Sequence, residues 1–287
     1  MTRVVAIGGG HGLAATLEAV RRYADDICAI VSVADDGGSS GRLRADFGIP
    51  PPGDIRRCLV ALAGSESLWT EAFEHRFDAG ELEGHAFGNL VIAGLADATG
   101  DFSAALEEAG RLLGAVGRVV PATVEPVVLK AVVRGTEGTI EGQVAVGNAS
   151  RIVGVSLVPA DPRPPPAALE ALAGADQVVI GPGSLFTSIL AAVAVPALRD
   201  ALAVTAARKV YVCNLREQHP ETTGYDVAAH VDALAAHGLD VDVVLYHPEA
   251  LPVGKLTVPG VEVPLARSDG LGHDPARLAA ALHGLVG

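Results

Sequence analysis

The residues Val4–Leu13, VVAIGGGHGL, join a short apolar run to a loop of glycines and then to the start of a helical pattern. Val4–Ile7 predicts a buried strand, and Leu13–Tyr23 predicts a helix with one apolar face. The next apolar run, Ile27–Val33, completes a βαβ unit, in which the two strands lie parallel. This beginning predicts an α/β fold of the doubly wound, Rossmann-like kind, with a ligand crevice beyond the carboxyl ends of the strands.

Alternating strand and helix patterns continue along the chain and extend the same prediction. A mostly helical section covers about 54–114, and Asp54 is placed to cap its first helix, which runs to about Ala63. Two β-branched runs at about 127–146 flank Gly135–Gly138 and predict an antiparallel hairpin. We therefore expect a mainly parallel sheet with helices on both faces, a hairpin insertion, and one domain spanning 1–287. The remaining predicted strands are Ile152–Val158, Gln177–Ile180, Lys209–Cys213 and Val241–Tyr246, and the remaining predicted helices are Leu68–Phe77, Gly88–Ala98, Phe102–Leu113, Gly224–His237 and Pro275–Leu285.

The composition indicates a chain without a membrane span. Apolar residues make up 49% of the 287 residues and the mean hydropathy is +0.37, yet no uncharged apolar stretch reaches the roughly 18 residues that a spanning helix needs. Met1–Arg3 leads directly into the first strand, so a secretory signal is not expected. The cysteines Cys28, Cys58 and Cys213 lack metal-site spacing, and reduced thiols in the cytoplasm are the expected state.

The net charge of −13 argues against nonspecific binding to nucleic acid or to an anionic membrane, because both need a basic surface. Aromatic residues make up only 4% of the chain, which argues against base stacking on single strands. A small phosphorylated ligand, in contrast, needs only local positive charge. Arg42, Arg44, Arg56 and Arg57 supply that charge near the first glycine loop.

Gly9–Gly12 is a glycine loop between the first strand and the first helix. Starting at Gly10, the pattern G-x-G-x-x-A continues through Gly12 and Ala15, and Asp35 lies near the place of a ribose-binding acid. Exposed N–H groups at the start of a helix attract anions, so a nicotinamide or other dinucleotide ligand is one interpretation. No G-x-x-x-x-G-K-[ST] sequence is present, which excludes a Walker loop.

The segment Asp35–Arg44, DDGGSSGRLR, follows the second strand and concentrates polar chemistry in what the sequence predicts to be one exposed turn. Glycine N–H groups, hydroxyls and guanidinium groups suit phosphate oxygens. The carboxylates could accept hydrogen bonds from sugar hydroxyls or hold a divalent cation. We interpret the segment as a loop that binds a phosphorylated ligand through Asp35, Asp36, Gly37, Gly38, Ser39, Ser40 and Arg42.

A second strand-to-helix loop, Gly181–Ser188, has the sequence GPGSLFTS. Ser184 is expected to cap the helix that follows. With Gly181 and Gly183 before it, the loop also has the composition of an anion-binding nest. Two such loops at the carboxyl ends of strands predict a ligand with two separated polar ends.

With these loops, the chain resembles the gluconeogenesis factor (YvcK-like, GlmR-like) family within the wider superfamily of CofD 2-phospho-L-lactate transferases. The matching motifs span most of the chain, and the DDGGSSGRLR run resembles the YvcK branch rather than the deazaflavin-coenzyme enzymes. The matching residues are Gly8–Leu13, Asp35–Arg44, Pro52–Arg56, Arg76–Phe77, Gly84–His85, Gly88–Leu90, Gly181–Leu185, Thr187–Ser188, Asn214, Glu221–Thr222 and Gly224–Tyr225.

The resemblance implies a cytoplasmic protein that binds a UDP-sugar, typically UDP-N-acetylglucosamine. It further implies a regulator that links carbon metabolism to cell-wall precursor supply and cell shape, with a regulated metabolic enzyme or a second copy of the chain as candidate partners. It implies no certain cofactor and no resident metal. The implied ligand-binding residues are Gly9, Gly10, His11, Gly12, Asp35, Asp36, Gly37, Gly38, Ser39, Ser40, Arg42, Asp54, Arg56, His85, Asn89, Gly181, Gly183, Ser184, Thr187, Asn214 and Glu221.

Two other functions stay open on the residues alone. A CofD-like phospho- or nucleotidyl-transferase would use Asp35 or Asp36 to hold Mg²⁺ and Arg42 to steady a phosphate. No residue stands out as a nucleophile or general base with an identifiable partner, which ranks this function second. An NAD(P)-binding protein would use the first glycine loop.

The chain departs from the family's usual pattern at two places near the predicted site. Ala191-Ala192 stand where Pro-Asn is usual, and Gly272 stands where the family's C-terminal element usually has an arginine. An arginine able to contact phosphate is therefore missing, and we expect weaker UDP-sugar binding than in a relative that has it.

Overall fold

The computed structural model describes residues 1–64, 67–135 and 138–286, and the strands of this part of the chain form two sheets. The strands are β1 Arg3–Gly8, β2 Asp26–Val31, β3 Arg118–Pro121, β4 Val128–Val133, β5 Thr139–Glu141, β6 Ile152–Val158, β7 Gln177–Ile180, β8 Arg208–Val212, β9 Val243–Tyr246 and β10 Gly260–Glu262. The helices are α1 Gly10–Val20, α2 Gly38–Phe47, α3 Pro52–Leu62, α4 Leu68–Glu74, α5 Phe87–Thr99, α6 Phe102–Leu113, α7 Gln143–Gly147, α8 Pro166–Gly174, α9 Leu190–Val193, α10 Pro196–Val204, α11 Val227–Ala236 and α12 Pro275–His283. A 3-10 turn, Gly80–Leu82, and a π-helical turn, Leu185–Ile189, complete the regular structure.

Seven strands form a parallel sheet in the order β3-β2-β1-β7-β8-β9-β10. The central strands β1, β2 and β7 are buried along almost their whole length, because helices cover both faces of the sheet. Helices α3 and α12 both pack against α1, and α8 packs against α10 and against the first three strands. The mainly parallel, Rossmann-like sheet that the sequence predicts is confirmed.

The βαβ unit determines where the predicted ligand crevice lies. β1 and β2 pair in parallel, with Val4 opposite Ile27, and α1 connects them. On its other side β1 pairs with β7, with Val4 opposite Gln177. The strand order therefore reverses at β1, and the boundary between β1 and β7 is the topological switch point of the sheet.

The smaller sheet is antiparallel and has the order β5-β4-β6. It confirms the hairpin insertion only in part, because β5 ends at Glu141 and the rest of the predicted hairpin is helix α7. The start of α7 is capped by a residue far away in the sequence. Asp36 accepts hydrogen bonds at 3.0 Å from the N–H groups of Gln143 and Val144, which stabilises a helix there. The predicted turn at Gly135–Gly138 includes residues 136 and 137, which lie outside the described residues.

Several local predictions are wrong for identifiable reasons. The segment after β2 is not one exposed turn, because α2 begins within it and Ser39 and Ser40 are only 5% exposed. Asp54 does not cap α3, which begins earlier at Pro52, where the proline ring already has a helical φ. The sequence does not predict strands β3 and β10, because they are only four and three residues long and show no periodicity.

Two expectations from the composition can be compared with the structure. Cys28, Cys58 and Cys213 are buried and unbridged, and burial raises the pKa of Cys28 to about 11 and that of Cys213 to about 12. In the described ranges no single helix is long and apolar enough to cross a membrane. Leu185–Val193 and Pro196–Val204 pass the length test only as a pair that is bent by 79°.

The two glycine loops at the switch point touch each other through Gly12. A Cβ atom on Gly12 would lie closer than 3.0 Å to the carbonyl oxygen of Pro182, so no side chain fits there. One turn later in α1, the buried hydroxyl of Thr16 donates to the carbonyl oxygen of Gly181 at 2.7 Å. Helix α1 is thereby fastened to the loop that follows β7.

Gly12→Ala should lower the free energy of unfolding by roughly 1–3 kcal/mol, because the added methyl group displaces the Pro182 loop. Gly94→Ala is the matched control. Gly94 lies in α5 with no atom within 4 Å of an added Cβ, so alanine there should stabilise the protein by about 0.5–1 kcal/mol. Urea unfolding of the two variants measures both effects, and a Gly12→Ala protein as stable as wild type would contradict the tight contact.

Candidate ligand-binding site

A cleft of about 730 Å³ opens at the switch point, beyond the carboxyl ends of β1 and β7. Its volume falls within the roughly 300–1,000 Å³ range of small-molecule sites. Open α/β sheets bind ligands at this place, because the loops after two adjacent strands lead there in opposite directions. Four segments contribute most of its lining: the loop Gly9–Gly12, the loop Pro182–Ser184, Asn214–Gln218 after β8, and Arg267–His273 before α12. The rest of the lining consists of Ala14, Ala15, Glu18 and Ser188.

The first wall is the glycine loop at the N-terminus of α1. Gly9 provides no side-chain cap, and the carboxylate of Asp54 instead accepts a hydrogen bond from the Gly10 N–H at 2.7 Å. The other carboxylate oxygen of Asp54 accepts from Arg57 at 2.8 Å. Among the described residues, none accepts from the next two N–H groups of the helix, which stay available at its positive end.

The second wall is the loop Pro182–Ser184, which is held by side chains from the segment after β8. Asn214 Oδ1 accepts from the Gly183 N–H at 3.0 Å, and Asn214 Nδ2 donates to the Gly183 carbonyl at 2.9 Å. The sequence predicts a helix cap from Ser184, but this prediction is wrong. The Ser184 hydroxyl makes no cap bond and accepts from Gln218 Nε2 at 3.0 Å.

The cap that Ser184 does not provide comes from Glu221. Its Oε1 accepts from the N–H groups of Phe186 at 2.7 Å and of Thr187 at 3.2 Å, and its Oε2 accepts from the Thr187 hydroxyl at 3.4 Å. Burial raises the pKa of Glu221, and these hydrogen bonds act in the opposite direction. A carboxylate is favourable at this helical start because the free N–H groups carry partial positive charge.

The third wall carries two arginines, Arg216 and Arg267. Arg267 Nε donates to the His273 carbonyl at 3.1 Å, and Arg216 Nη2 donates to the Leu271 carbonyl at 3.4 Å. No carboxylate in the described part of the chain forms an ion pair with either guanidinium. Their remaining N–H groups can therefore contact phosphate oxygens.

His273 completes this wall and is 6% exposed. Its Nε2 donates to the carbonyl oxygen of Cys213 at 3.2 Å. Burial lowers the pKa of His273 to about 4, so the ring is neutral at neutral pH and its Nδ1 is a hydrogen-bond acceptor. Sequence reasoning assigned no ligand role to Arg216, Arg267 or His273, and the only signal near them was the departure from the family pattern at Gly272.

A further set of predicted residues gathers around Asp35, at the carboxyl end of β2. Asp35 Oδ1 accepts from the Gly37 N–H at 3.0 Å, and the Ser40 hydroxyl accepts from the Gly53 N–H at 3.1 Å. Burial raises the pKa of Asp35, and the nearby carboxylate of Asp54 also raises it. Hydrogen bonds from Gly37 and from the Ser40 hydroxyl oppose this rise. Asp35 is thus a half-buried carboxylate beside the first glycine loop.

Ser39, His85 and Asn89 form a buried chain of hydrogen bonds between α2 and α5. The Ser39 hydroxyl accepts from Asn89 Nδ2 at 3.1 Å and lies 3.0 Å from His85 Nδ1. The hydroxyl can donate to His85 Nδ1 or accept from it, according to the tautomer of the ring. Burial lowers the pKa of His85, which favours its neutral state.

Three predicted site residues are engaged in contacts that hold the fold. Asp36 caps α7, and Arg42 donates to the Glu83 carbonyl at 3.0 Å. Arg56 is 3% exposed and pairs with Glu74 at 2.7 Å. Burial lowers the pKa of Arg56, and its ion pair with Glu74 opposes that effect.

The predicted site residues therefore fall into three groups. Those that line the switch-point cleft are Gly9, Gly10, His11, Gly12, Gly183, Ser184 and Asn214. Those that support the second loop are Gly181, Thr187 and Glu221. Those on or beside α2 and α3 are Asp35, Asp36, Gly37, Gly38, Ser39, Ser40, Arg42, Asp54, Arg56, His85 and Asn89.

The carboxylates of Asp35, Asp36 and Asp54 each accept hydrogen bonds from protein N–H groups. Asp35 is bonded to Gly37, Asp36 to the start of α7, and Asp54 to Gly10 and Arg57. Across the described ranges, no three His, Cys, Asp or Glu side chains are grouped so that they could hold a metal ion. Magnesium in nucleotide sites uses one or two carboxylates together with substrate phosphates and water, so it does not require a cluster of three protein ligands.

A parallel sheet with glycine loops at its switch point defines the Rossmann-like class of ligand-binding proteins. Within that class, the family model described as 2-phospho-L-lactate transferase CofD matches residues 4–258, and the chain belongs to this family. It is similar to the protein named "Gluconeogenesis factor" from Bacillus subtilis, with 42% identity over 260 residues that cover 87% of this chain and 80% of the relative.

Other relatives extend the comparison. A Mycobacterium tuberculosis protein named "Putative gluconeogenesis factor" is 42% identical over 306 residues, which cover 98% of this chain and 90% of the relative. A Nostoc protein with the same name is 45% identical over 253 residues, and the chain spans only 55% of its length. The crystal structure of a UPF0052 family member from Bacillus halodurans superimposes with a TM-score of 0.92 at 37% identity, covering 98% of both chains.

The depressed pKa of His273 predicts a pH dependence of stability. Between about pH 6.5 and pH 4 the unfolded chain binds a proton at this residue that the folded chain does not, so the free energy of unfolding rises with pH. Acidification through this window should cost roughly 2–3 kcal/mol at this one residue. His273→Gln keeps a donor for the Cys213 carbonyl but does not titrate. Urea unfolding at a series of pH values should show a flatter profile for this variant, and identical profiles would contradict the assignment.

Proposed function

We propose that this chain is a cytoplasmic UDP-sugar-binding regulator, with UDP-N-acetylglucosamine as the expected ligand. The proposal rests most on one observation: positively charged or positively polarised groups lie on two walls of the switch-point cleft. Unengaged N–H groups at the start of α1 lie on one wall, and Arg216 and Arg267 lie on another. A diphosphate bound between them would contact both, while the rest of the acidic chain offers it little attraction.

The remaining lining side chains suit the two ends of such a ligand. The Asp269 carboxylate and the neutral Nδ1 of His273 accept hydrogen bonds, and the Gln218 amide both accepts and donates. Sugar hydroxyls and a nucleobase edge present donors and acceptors of this kind. The glycines of the two loops allow the backbone to approach the phosphates closely.

A regulatory role agrees with the name that the relatives carry, gluconeogenesis factor. We infer that ligand binding reports the level of a cell-wall precursor and links carbon metabolism to cell shape, as the resemblance implies. We favour binding without reaction because, among the described residues that line the cleft, no serine hydroxyl is hydrogen-bonded to a histidine or carboxylate that could act as its base. The closest arrangement, Ser39 with His85, is buried, and its hydroxyl already receives a hydrogen bond from Asn89.

A transferase is the second candidate, and the description of the matched family is the observation that favours it. Phosphoryl and nucleotidyl transfer depend mainly on positioning and charge neutralisation. A divalent cation would arrive with the nucleotide phosphates and would need only one or two carboxylates of the protein. Product formation with Mg²⁺ and a nucleotide donor, abolished by EDTA, would support this candidate over the binding role.

Calorimetric titration of UDP-N-acetylglucosamine, UDP, NAD⁺ and NADPH tests the ligand class. We expect the UDP-sugar to bind and the dinucleotides not to bind. Arg267→Gln should weaken UDP-sugar binding by about 1.5–3 kcal/mol, because a charge-assisted contact to phosphate is lost. The effect should be larger at low ionic strength, since salt screens the attraction.

Arg111→Gln is the matched control for this titration. Arg111 is an exposed arginine of α6 that pairs with Glu108, away from the cleft, and its replacement should leave the affinity unchanged. Dinucleotide binding without UDP-sugar binding would sink the proposal. Equal affinities of the Arg267→Gln and Arg111→Gln proteins would show that Arg267 does not contact the phosphates.

A further inference from the structure

A second cleft, of about 680 Å³, lies where the small antiparallel sheet meets the segment Asn214–Tyr225. This segment also lines the switch-point cleft through Asn214 and Gln218, but no residue lines both clefts. The second cleft contains none of the glycine loops. It is therefore a separate cavity, to which the proposed function assigns no ligand, and Glu221 is the one predicted site residue that lines it.

Two arginines stand side by side in this cleft. Arg134 follows β4 and Arg151 precedes β6, and the Arg134 N–H donates to the Arg151 carbonyl at 3.0 Å. Both are exposed, and within the described ranges neither forms an ion pair with a carboxylate. An anion that bridges the two guanidinium groups would gain charge-assisted contacts from both.

The backbone conformation of Arg151 also indicates a ligand-contacting position. Its φ of 58° is a left-handed conformation that residues with a side chain adopt only rarely. Such positions cost conformational energy and are found more often at ligand-contacting sites than elsewhere. Here the conformation occurs immediately before β6, at a residue that lines the cleft.

The other lining groups supply hydrogen bonds and an apolar face. Ser150, Thr223 and Tyr225 line the cleft. The Thr223 hydroxyl donates to the Pro220 carbonyl at 3.2 Å and lies 2.8 Å from His219 Nδ1, so towards a ligand it can only accept. Tyr225 packs edge-on against Phe186 with ring centroids 6.3 Å apart, which fixes its orientation. Among the described lining residues Glu221 is the one carboxylate, and it is 5% exposed and already accepts three hydrogen bonds, so it offers little to oppose an anion.

We propose that this second cleft binds a small phosphate monoester, such as a sugar phosphate. Arg134 and Arg151 contact the phosphate oxygens, because two guanidinium groups match the charge of a phosphate dianion and their planar N–H groups match its geometry. Ser150 and Thr223 bind hydroxyls of the organic part, which lies against Tyr225. The volume of the cleft suits a small molecule of this size.

Titration of glucose 6-phosphate, with glucose and inorganic phosphate as comparisons, tests this site. The starting protein is Arg216→Gln/Arg267→Gln, whose switch-point cleft has lost its two arginines, so phosphate binding there is suppressed. We expect saturable binding of one equivalent of glucose 6-phosphate, weaker binding of inorganic phosphate, and none of glucose. Adding Arg134→Gln/Arg151→Gln should weaken binding at least tenfold, because two charge-assisted contacts are lost.

Two matched proteins separate this proposal from failures of folding or of the proposed function. Arg134→Lys/Arg151→Lys keeps the charges without the planar fork and should bind with intermediate affinity. Arg134→Gln/Arg151→Gln alone should keep the wild-type melting temperature and wild-type binding of UDP-N-acetylglucosamine. No saturable binding of glucose 6-phosphate, or equal binding with and without Arg134 and Arg151, would overturn the proposal whatever the result with the UDP-sugar.

Discussion

The contact between Gly12 and the Pro182 carbonyl is the constraint on which the candidate site depends. Helix α1 and the loop after β7 approach so closely that only a hydrogen atom fits between them. The Thr16 hydroxyl also joins α1 to Gly181. The start of α1 and the loop after β7, which line the cleft from two sides, are therefore held in contact with each other. Because the loops come from adjacent parallel strands, the space beyond them is where side chains from other segments can converge on a ligand.

Around this contact, polar side chains stabilise helix starts and loops that lie far away in sequence. Asp54 binds the start of α1, Asp36 binds the start of α7, and Glu221 binds the π-helical turn. Asn214 holds the second glycine loop in the same way. Many residues that look like ligand contacts in the sequence therefore also support the loops. Their polar atoms are bonded to backbone N–H groups that would otherwise lack a partner.

The sequence allowed the fold class and the glycine loops to be predicted, because both depend on local patterns. An apolar run, a glycine turn and an amphipathic helix can each be recognised from a stretch of about thirty residues or fewer. The hairpin prediction was wrong beyond Glu141 because the helix there depends on Asp36, which lies 107 residues away from Gln143. Arg216 and Arg267 went unnoticed for the same reason. Neither belongs to a spaced motif, and only the folded chain brings them to the cleft.

The pairing of β1 with β7 also determines at what stage of protein synthesis the candidate site can form. The Arg3–Asp176 ion pair at the start of these strands joins residues 173 positions apart. Contacts of such long range slow folding, because a large loop must close before they stabilise anything. During synthesis at about 5–20 residues per second, the second glycine loop would follow the first by roughly 10–35 seconds. The two glycine loops therefore cannot come together until most of the chain has been made, and shorter nascent chains lack the switch-point cleft.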